Sequence, residues 1–416
     1  MSLTPNKNPY AVFAIKEFRL FIAARFFLTI AIQMQSVIVG WQVYQITKNE
    51  FALGMIGLAE AIPFIVISLI SGHVADSYDR RKIIRIASSF FMMGTLLLFY
   101  FSLKTSTVIA LYGATPIFCV IVLVGITRGF LSPAVPSLLT QLIPRELYPN
   151  SATWNSTVWH VGAIAGPAIA GLIYGYFGAS TAYGIDIVFL FLSIFFFSFI
   201  SFHPLPQKTK GESLMQSLTA GIKFVSGNKI ILGAISLDLF AVLFGGAIAM
   251  LPAIADKVLH VGPEALGMLR AAPAVGAVMM ALIMAYFPPL KNAGTKLFLA
   301  VIAFGICTIL FALSTNFYLS FFLLAMTGAF DNVSVVIRHT IMQLMTPDDM
   351  RGRVSAVNSI FIGSSNEIGA FESGTAARLL GLVPSIIFGG VMTIIVVGLV
   401  GKISPSLRKM SLEKLK

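Results

Sequence analysis

The sequence predicts an all-α integral membrane protein: twelve transmembrane helices in two pseudo-symmetric six-helix bundles. Three observations carry this expectation. Of 416 residues, 57% are hydrophobic and 11% charged, and the mean hydropathy is +0.88, more apolar surface than a water-soluble domain can hide. The apolar residues gather into twelve runs, each near the roughly 20 residues that a helix needs to cross a bilayer. Stretches of the first half also recur in the second.

In order, the runs are 18–44, 51–73, 83–103, 109–139, 151–177, 180–202, 229–255, 264–287, 297–315, 317–345, 351–379 and 383–402. The first is too long for a removable signal peptide and lacks a small-residue cleavage site, so it reads as a signal anchor and first span. What separates the runs is short and basic on alternate sides. The net charge is +12, and most of the cations fall with the two tails and every second loop: Lys7, Lys16, Arg80, Arg81, Lys82, Lys208, Lys210, Lys291, Arg351, Arg353, Lys409 and Lys416 among them. Lys48, Lys104, Lys257 and Arg378 lie on the other side. Such one-sided placement argues for topology rather than nucleic-acid binding, and it predicts that both termini are cytoplasmic. Cys119 and Cys307 sit inside apolar runs far apart in sequence, which suits neither a disulfide framework nor a metal site.

The second run begins FALGM and the eighth EALGM, with Ala52 and Ala265 separated by 213 residues. QLIPRELYPNSATWNS before the fifth resembles QLMTPDDMRGRVSAVNS before the eleventh; this offset of 203, from Asn155 to Asn358, also superposes Gly166 on Gly369 and Gly171 on Gly374. Two parallel six-span repeats are the organisation of a secondary transporter. The expected domains are a bundle over 1–202, a linker over 203–228 and a bundle over 229–416. Within the linker, ESLMQSLTAGIKFVSGNK reads as an amphipathic helix on the membrane surface or as a partly ordered tether.

After the second run comes SGHVADSYDRRK. Gly72 permits close helix approach, Asp76 is an anion suited to a helix N-terminus, and Arg80, Arg81 and Lys82 hold the loop on the basic side, where they can meet anionic lipid. A polar latch of this kind can bias a two-state equilibrium. The fifth run carries GAIAGPAIAG, where Gly162 and Gly166 make a small-residue face and Pro167 permits a bend before Gly171. The first motif resembles the signature of the major facilitator superfamily, with Ser77 in place of a basic residue and Asp79 in place of a glycine. Its GxxADxxDRRK form resembles the branch that contains enterobactin exporters and macrolide efflux pumps. The second resembles that superfamily's antiporter motif, with Ala170 in place of one glycine. The resemblance implies a latch by which Asp76 caps the helix starting near Met350, export driven by protons, and a central cavity walled by spans one, four, seven and ten.

Charged residues inside the runs cost roughly 2.5 to 3.5 kcal/mol each near mid-membrane, so they are expected to line water or to pair. Arg25, Glu60, Arg128, Asp186, Asp238, Arg270, Asp331, Arg338, Glu367 and Glu372 are these residues. The repeat offsets superpose Arg25 on Asp238 and Arg128 on Asp331. That opposition predicts that Asp238 and Asp331 pair with Arg25 and Arg128, or exchange protons, as access alternates. Glu367 and Glu372, in NEIGAFESG, have no polar counterpart in the fifth run and are the alternative proton carriers; Glu60 is a further one. Arg338, two turns after Asp331, either binds substrate or snorkels. Asp186 is expected to be hydrated near the outer face, and His160 to be a satisfied structural histidine. Met34, Trp41, Phe240 and Phe244 would suit a bulky apolar compound if they line the cavity, or simply fill the core.

No GxxxxGK[ST] loop or HExxH helix occurs, and no Ser-His-Asp grouping is apparent, so enzyme chemistry is not expected. The expected function is secondary active efflux of a bulky amphipathic small molecule, siderophore or drug-like, from a bacterial inner membrane. No cofactor is expected beyond a proton gradient, and the expected partners are a small-molecule substrate and the lipid bilayer, with no nucleic acid. Proton-coupled uptake, lipid flipping and a transport-inactive sensor are the alternatives.

Overall fold

The computed structural model describes residues 10–201, 214–289, 291–347 and 350–414, and no strand occurs among them. Residues 203–213 of the expected linker lie outside the described residues, as do Lys7, Lys208, Lys210 and Lys416. The helices are α1 (Lys16–Thr47), α2 (Glu50–Ser77), α3 (Arg80–Phe101), α4 (Val108–Tyr112), α5 (Thr115–Leu142), α6 (Tyr148–Ser198), α7 (Leu214–Gly227), α8 (Lys229–Phe244), α9 (Leu251–Lys257), α10 (Pro263–Tyr286), α11 (Ala293–Leu313), α12 (Phe317–Met345), α13 (Arg351–Leu380), α14 (Leu382–Ile403) and α15 (Pro405–Arg408). Ten helical stretches are long and apolar enough to cross a membrane by composition. One of them contains α6, which reverses at Gly178 (φ 83°) and so supplies two crossings. The polar-rich α13 falls outside that set yet runs 30 residues, and with it the chain is consistent with twelve spans.

Two departures from the sequence pattern have local causes, and the linker contributes a helix. The run 109–139 divides because Gly113 adopts φ 59° between α4 and α5. The run 229–255 is interrupted at Gly245 and Gly246, where a 3-10 turn separates α8 from α9; a Cβ at Gly246 would lie 2.8 Å from Gly369 O, so α13 occupies the space that side chains would need. Residues 214–227 of the linker form a helix packed on protein: Val225 is buried with Ile231, Ile235, Met342, Val354 and Val357, and Gly221 lies against the Arg353 carbonyl.

The chain forms two compact units. Unit 1 takes Met1–Thr47, Ala59–Thr209 and Gly262–Gly267; unit 2 takes Lys48–Leu58, Lys210–Val261 and Met268–Lys416. In unit 1, α1 packs against α6, and α3 against α5 and α6. Phe21 meets Phe197 edge-on at 6.1 Å. Polar side chains cross this apolar interior in matched pairs: Gln35 Nε2 donates to Thr95 Oγ1 at 2.9 Å, Gln42 Nε2 to Ser102 Oγ at 2.8 Å, and Tyr183 OH to Gln42 Oε1 at 2.8 Å. In unit 2, α8, α11, α12 and α14 share a core that the tail closes with Leu407, Met410 and Leu412.

The repeated glycines are points of contact. Within unit 1, a Cβ at Gly171 would lie 2.8 Å from Gly267 Cα; within unit 2, a Cβ at Gly54 would lie 2.8 Å from Gly374 Cα. Gly54 and Gly267 come from the LGM repeat, Gly171 and Gly374 from the later one, so each kind of repeat meets the other. Gly162 and Gly166 press on Thr29 and Gln33 of α1. Backbone at both crossings leaves no flexible side-chain end to move aside. Gly54→Val and Gly171→Val are therefore each expected to destabilise by about 1–3 kcal/mol or more, read as a lower melting temperature in detergent. Gly178→Ala meets open space and costs about 1 kcal/mol through its positive φ alone.

Candidate functional site

The loop after α2 is tied into unit 1 by its two arginines. Arg80 is buried: its Nε donates to Ala75 O at 3.0 Å and its Nη1 to Ser137 O at 3.1 Å, bracing the end of α2 against α5. Asp76 is exposed, with Arg80 Nη2 at 3.5 Å. Arg81 grips Asp79 with two nitrogens, at 3.2 and 2.7 Å, and donates to Ile200 O at 2.8 Å just beyond α6. Asp79, which stands where the superfamily pattern has glycine, also caps α3 by accepting from the Arg81 amide at 3.0 Å. Burial alone would push the Asp79 carboxyl up; the hydrogen bonds and charge of Arg81 outweigh it and hold the group below the usual carboxylate range. Lys82 is exposed and Gly72 half-buried.

Deeper in unit 1, Gly125 and Gly129 bring α5 against α2: a Cβ at Gly125 would lie 2.5 Å from Glu60 O, and one at Gly129 2.7 Å from Ile67 Cγ2. This approach places Arg128 on Glu60 as an ion pair. Arg25 is half-buried on α1, and its Nε has no hydrogen-bond partner among the described residues. Asp186 departs from its expected hydration, because it is fully buried and neither carboxylate oxygen has a hydrogen-bond partner among the described residues. His160 contacts Trp159 edge-on, with Nδ1 unpartnered among the described residues.

In unit 2, Asp238 of α8 pairs with Arg338 of α12, with only 6% and 2% of the side chains exposed. Snorkelling of Arg338 is thereby excluded in this structure. Asp238 and Arg128 thus have partners inside their own units, whereas the repeat offsets had pointed to pairing across the halves. Asp331 is half-buried two turns before Arg338. Glu372 accepts from Ser373 Oγ at 3.3 Å, Glu367 is half-buried, and Arg270 Nη1 donates to Ile248 O at 3.1 Å in the turn between α8 and α9. Met34 and Trp41 are buried core residues. Phe240 stacks on Phe244 at 6.4 Å and is 37% exposed, so of the four apolar candidates this pair alone keeps a surface to offer.

Two outcomes follow from this geometry. Removing one member of a buried pair strands the other charge, so Arg338→Gln is expected to cost about 3–5 kcal/mol in thermal unfolding, and Asp238→Asn/Arg338→Gln to recover part of that loss. Arg128→Gln costs less, because Arg128 is 36% exposed. Asp79, with its lowered folded-state pKa, contributes stability that is present above the unfolded value of about 3.9 and is lost as pH falls through the folded one. Asp79→Ala therefore carries a penalty of about 1 kcal/mol near neutrality, which narrows as unfolding is measured below about pH 4.

The family described as transmembrane secretion effector matches residues 7–415. Enterobactin exporter EntS of Escherichia coli O1:K1 / APEC is 24% identical over 368 residues, covering 87% of this chain and 86% of that protein, and EntS of Shigella boydii serotype 18 gives the same figures. Among solved structures, a D-xylose–proton symporter superposes with a TM-score of 0.74 at 13% identity, over 95% of this chain and 99% of that one. A bacterial homolog to human lysosomal transporter Spinster, in an inward-facing and unoccupied conformation, gives 0.70 at 14%, over 94% and 97%. These likenesses show the major facilitator fold. The chain belongs to the transmembrane secretion effector family of major facilitator transporters.

Proposed function

We propose that this transporter exports a bulky amphipathic small molecule, siderophore or drug-like, by proton-coupled alternating access across the bacterial cytoplasmic membrane, with both termini cytoplasmic. The observation that carries this reading is a likeness to enterobactin exporters that extends over 87% of the chain. The charge arrangement supports it. Glu60 with Arg128, and Asp238 with Arg338, are neutral pairs internal to their units, and each anchors a span that the superfamily pattern assigns to the cavity wall. Arg25 and Asp331 are the in-span charges of those wall helices left outside these pairs. Arg25 supplies a cation for an acidic substrate group, and Asp331 supplies the carboxyl that loads and releases a proton as its surroundings alternate. Asp76 acts as the latch by capping α13 in one state. Glu367 and Glu372, beside the interruption between α8 and α9, form a second acidic position for proton exchange. Phe240 and Phe244 offer the apolar surface that an aromatic substrate needs.

The test is flux in liposomes that contain the purified protein and a pH-sensitive dye, under an imposed proton gradient, with enterobactin as the first probe and hydrophobic drugs after it. Probe-dependent proton movement, cut at least about tenfold by Asp331→Asn, is the expected result. Flux that ignores the proton gradient would remove the coupling; proton-coupled flux untouched by the substitution would move it off Asp331.

A further inference from the structure

Beyond Gly94, α3 and α5 part. A Cβ at Gly94 would lie 3.1 Å from Val120 Cγ1, so the two helices touch there with little between them. One and two turns further along α3, at Leu97 and Phe101, a cleft of about 370 Å³ opens, closed on its other sides by Tyr112 of α4 and by Pro116, Cys119 and Leu123 of α5. Its position follows from the break in the run 109–139: Gly113, at φ 59°, separates the short α4 from α5, and Tyr112 becomes a third wall. The volume lies in the roughly 300–1,000 Å³ range of small-molecule sites. All of these residues belong to unit 1.

The surroundings describe what the cleft takes. Its walls are apolar apart from the hydroxyls of Tyr112 and Thr115, and they face outward, with Leu97 and Tyr112 40% and 66% exposed and Cys119 exposed as well. Both α3 and α5 are long and apolar enough to cross a membrane, so hydrocarbon, rather than water, is at hand beside their apolar faces. The exposed Tyr100 and Tyr112, near one end of α3 and at the end of α4, mark the level at which tyrosines collect at the membrane–water boundary. The mouth of the cleft therefore sits at that boundary and its floor in the hydrocarbon. Charge completes the pattern. From Arg80 to Leu142 the chain holds no Asp or Glu. Lys104, three residues beyond Phe101, is exposed at a tight turn in which the Ser106 amide donates to Leu103 O at 3.0 Å. Among the described residues no carboxylate pairs with Lys104. A cation lacking a countercharge, above an apolar cleft, matches an amphiphile with an acidic head and a hydrocarbon tail.

We propose that this cleft binds an anionic phospholipid, with one acyl chain between α3 and α5 and the phosphate at Lys104. The site rests on the membrane-spanning fold and not on the export reading. An acyl chain in place covers Cys119, which makes that thiol a reporter of occupancy.

The full chain is reconstituted in vesicles of phosphatidylcholine alone and of phosphatidylcholine with phosphatidylglycerol. Labelling of Cys119 by a membrane-permeant maleimide is followed by peptide mass, which separates it from the buried Cys307. Phosphatidylglycerol is expected to slow the labelling roughly two- to fivefold. Lys104→Glu is expected to remove that slowing, and Lys296→Glu, which reverses an exposed cation of unit 2, to leave it. Native mass spectrometry of the chain purified in detergent is expected to find phosphatidylglycerol retained by the parent and lost from Lys104→Glu. Labelling that ignores headgroup charge, or slowing that Lys296→Glu also removes, signifies ordinary lipid contact and overturns the site. Slowing by enterobactin or a hydrophobic drug in place of phosphatidylglycerol gives the cleft to substrate, and slowing by protein crowding in pure phosphatidylcholine gives it to a second copy of the chain; either result overturns the lipid. None of these measurements needs flux, so a protein that moves no probe discards the export reading and leaves the lipid site standing.

Discussion

Inside a bilayer little water is at hand to complete a charge or a peptide group, so a polar atom there gains most from a partner within the chain and at short range. Much of this structure follows from that demand. Close range requires thin contacts, and glycine supplies them: Gly125 and Gly129 let α5 approach α2 closely enough for Arg128 to reach Glu60. In the α1, α3 and α6 group the same demand is met by amides and hydroxyls, with Gln35 on Thr95 and Gln42 between Ser102 and Tyr183. Packing and electrostatics are therefore one design problem in this protein. Loosening a glycine contact disturbs the charge balance that it supports.

Where helices leave the membrane the constraint relaxes and carbonyl groups at helix ends become available. Arg80 and Arg81 use them, ending on Ala75, Ser137 and Ile200. The loop thereby fixes the ends of α2, α3, α5 and α6 relative to one another, and leaves Asp76 and Lys82 as its exposed charges. A brace that is rigid on its arginine side and open on its acidic side is a suitable base for a latch.

Spans and repeats were legible because hydropathy and self-similarity are properties of a linear string. The interruption at Gly245 and Gly246 was not, since an apolar run looks the same whether or not α13 crowds it. α13 shows the reverse: its many polar residues weaken the apolar signal, yet it runs from Arg351 to Leu380 and packs on α7, α8 and α14. Ion-pair partners were the hardest to read. The offset that superposes Arg128 on Asp331 is real, but the partner of Arg128 is chosen by the Gly125 and Gly129 face, a signal that was present in the sequence and is readable only once the facing helix is known. Asp186 was misplaced for a similar reason, because distance along a helix says nothing about which side is covered.

Gly178 and Gly381 lie 203 residues apart, both at positive φ, and each turns one long helix into the next within a single residue. The two halves of the repeat thus share a helix-to-helix join with no loop, and an insertion at either glycine would have no slack chain to absorb it. Antibodies, proteases or inserted tags directed at these turns would find almost no free backbone. The connection between Phe101 and Thr115, by contrast, contains a short helix and bears the exposed Leu111 and Tyr112, so a tag or a protease has more chain to engage there than at either glycine turn.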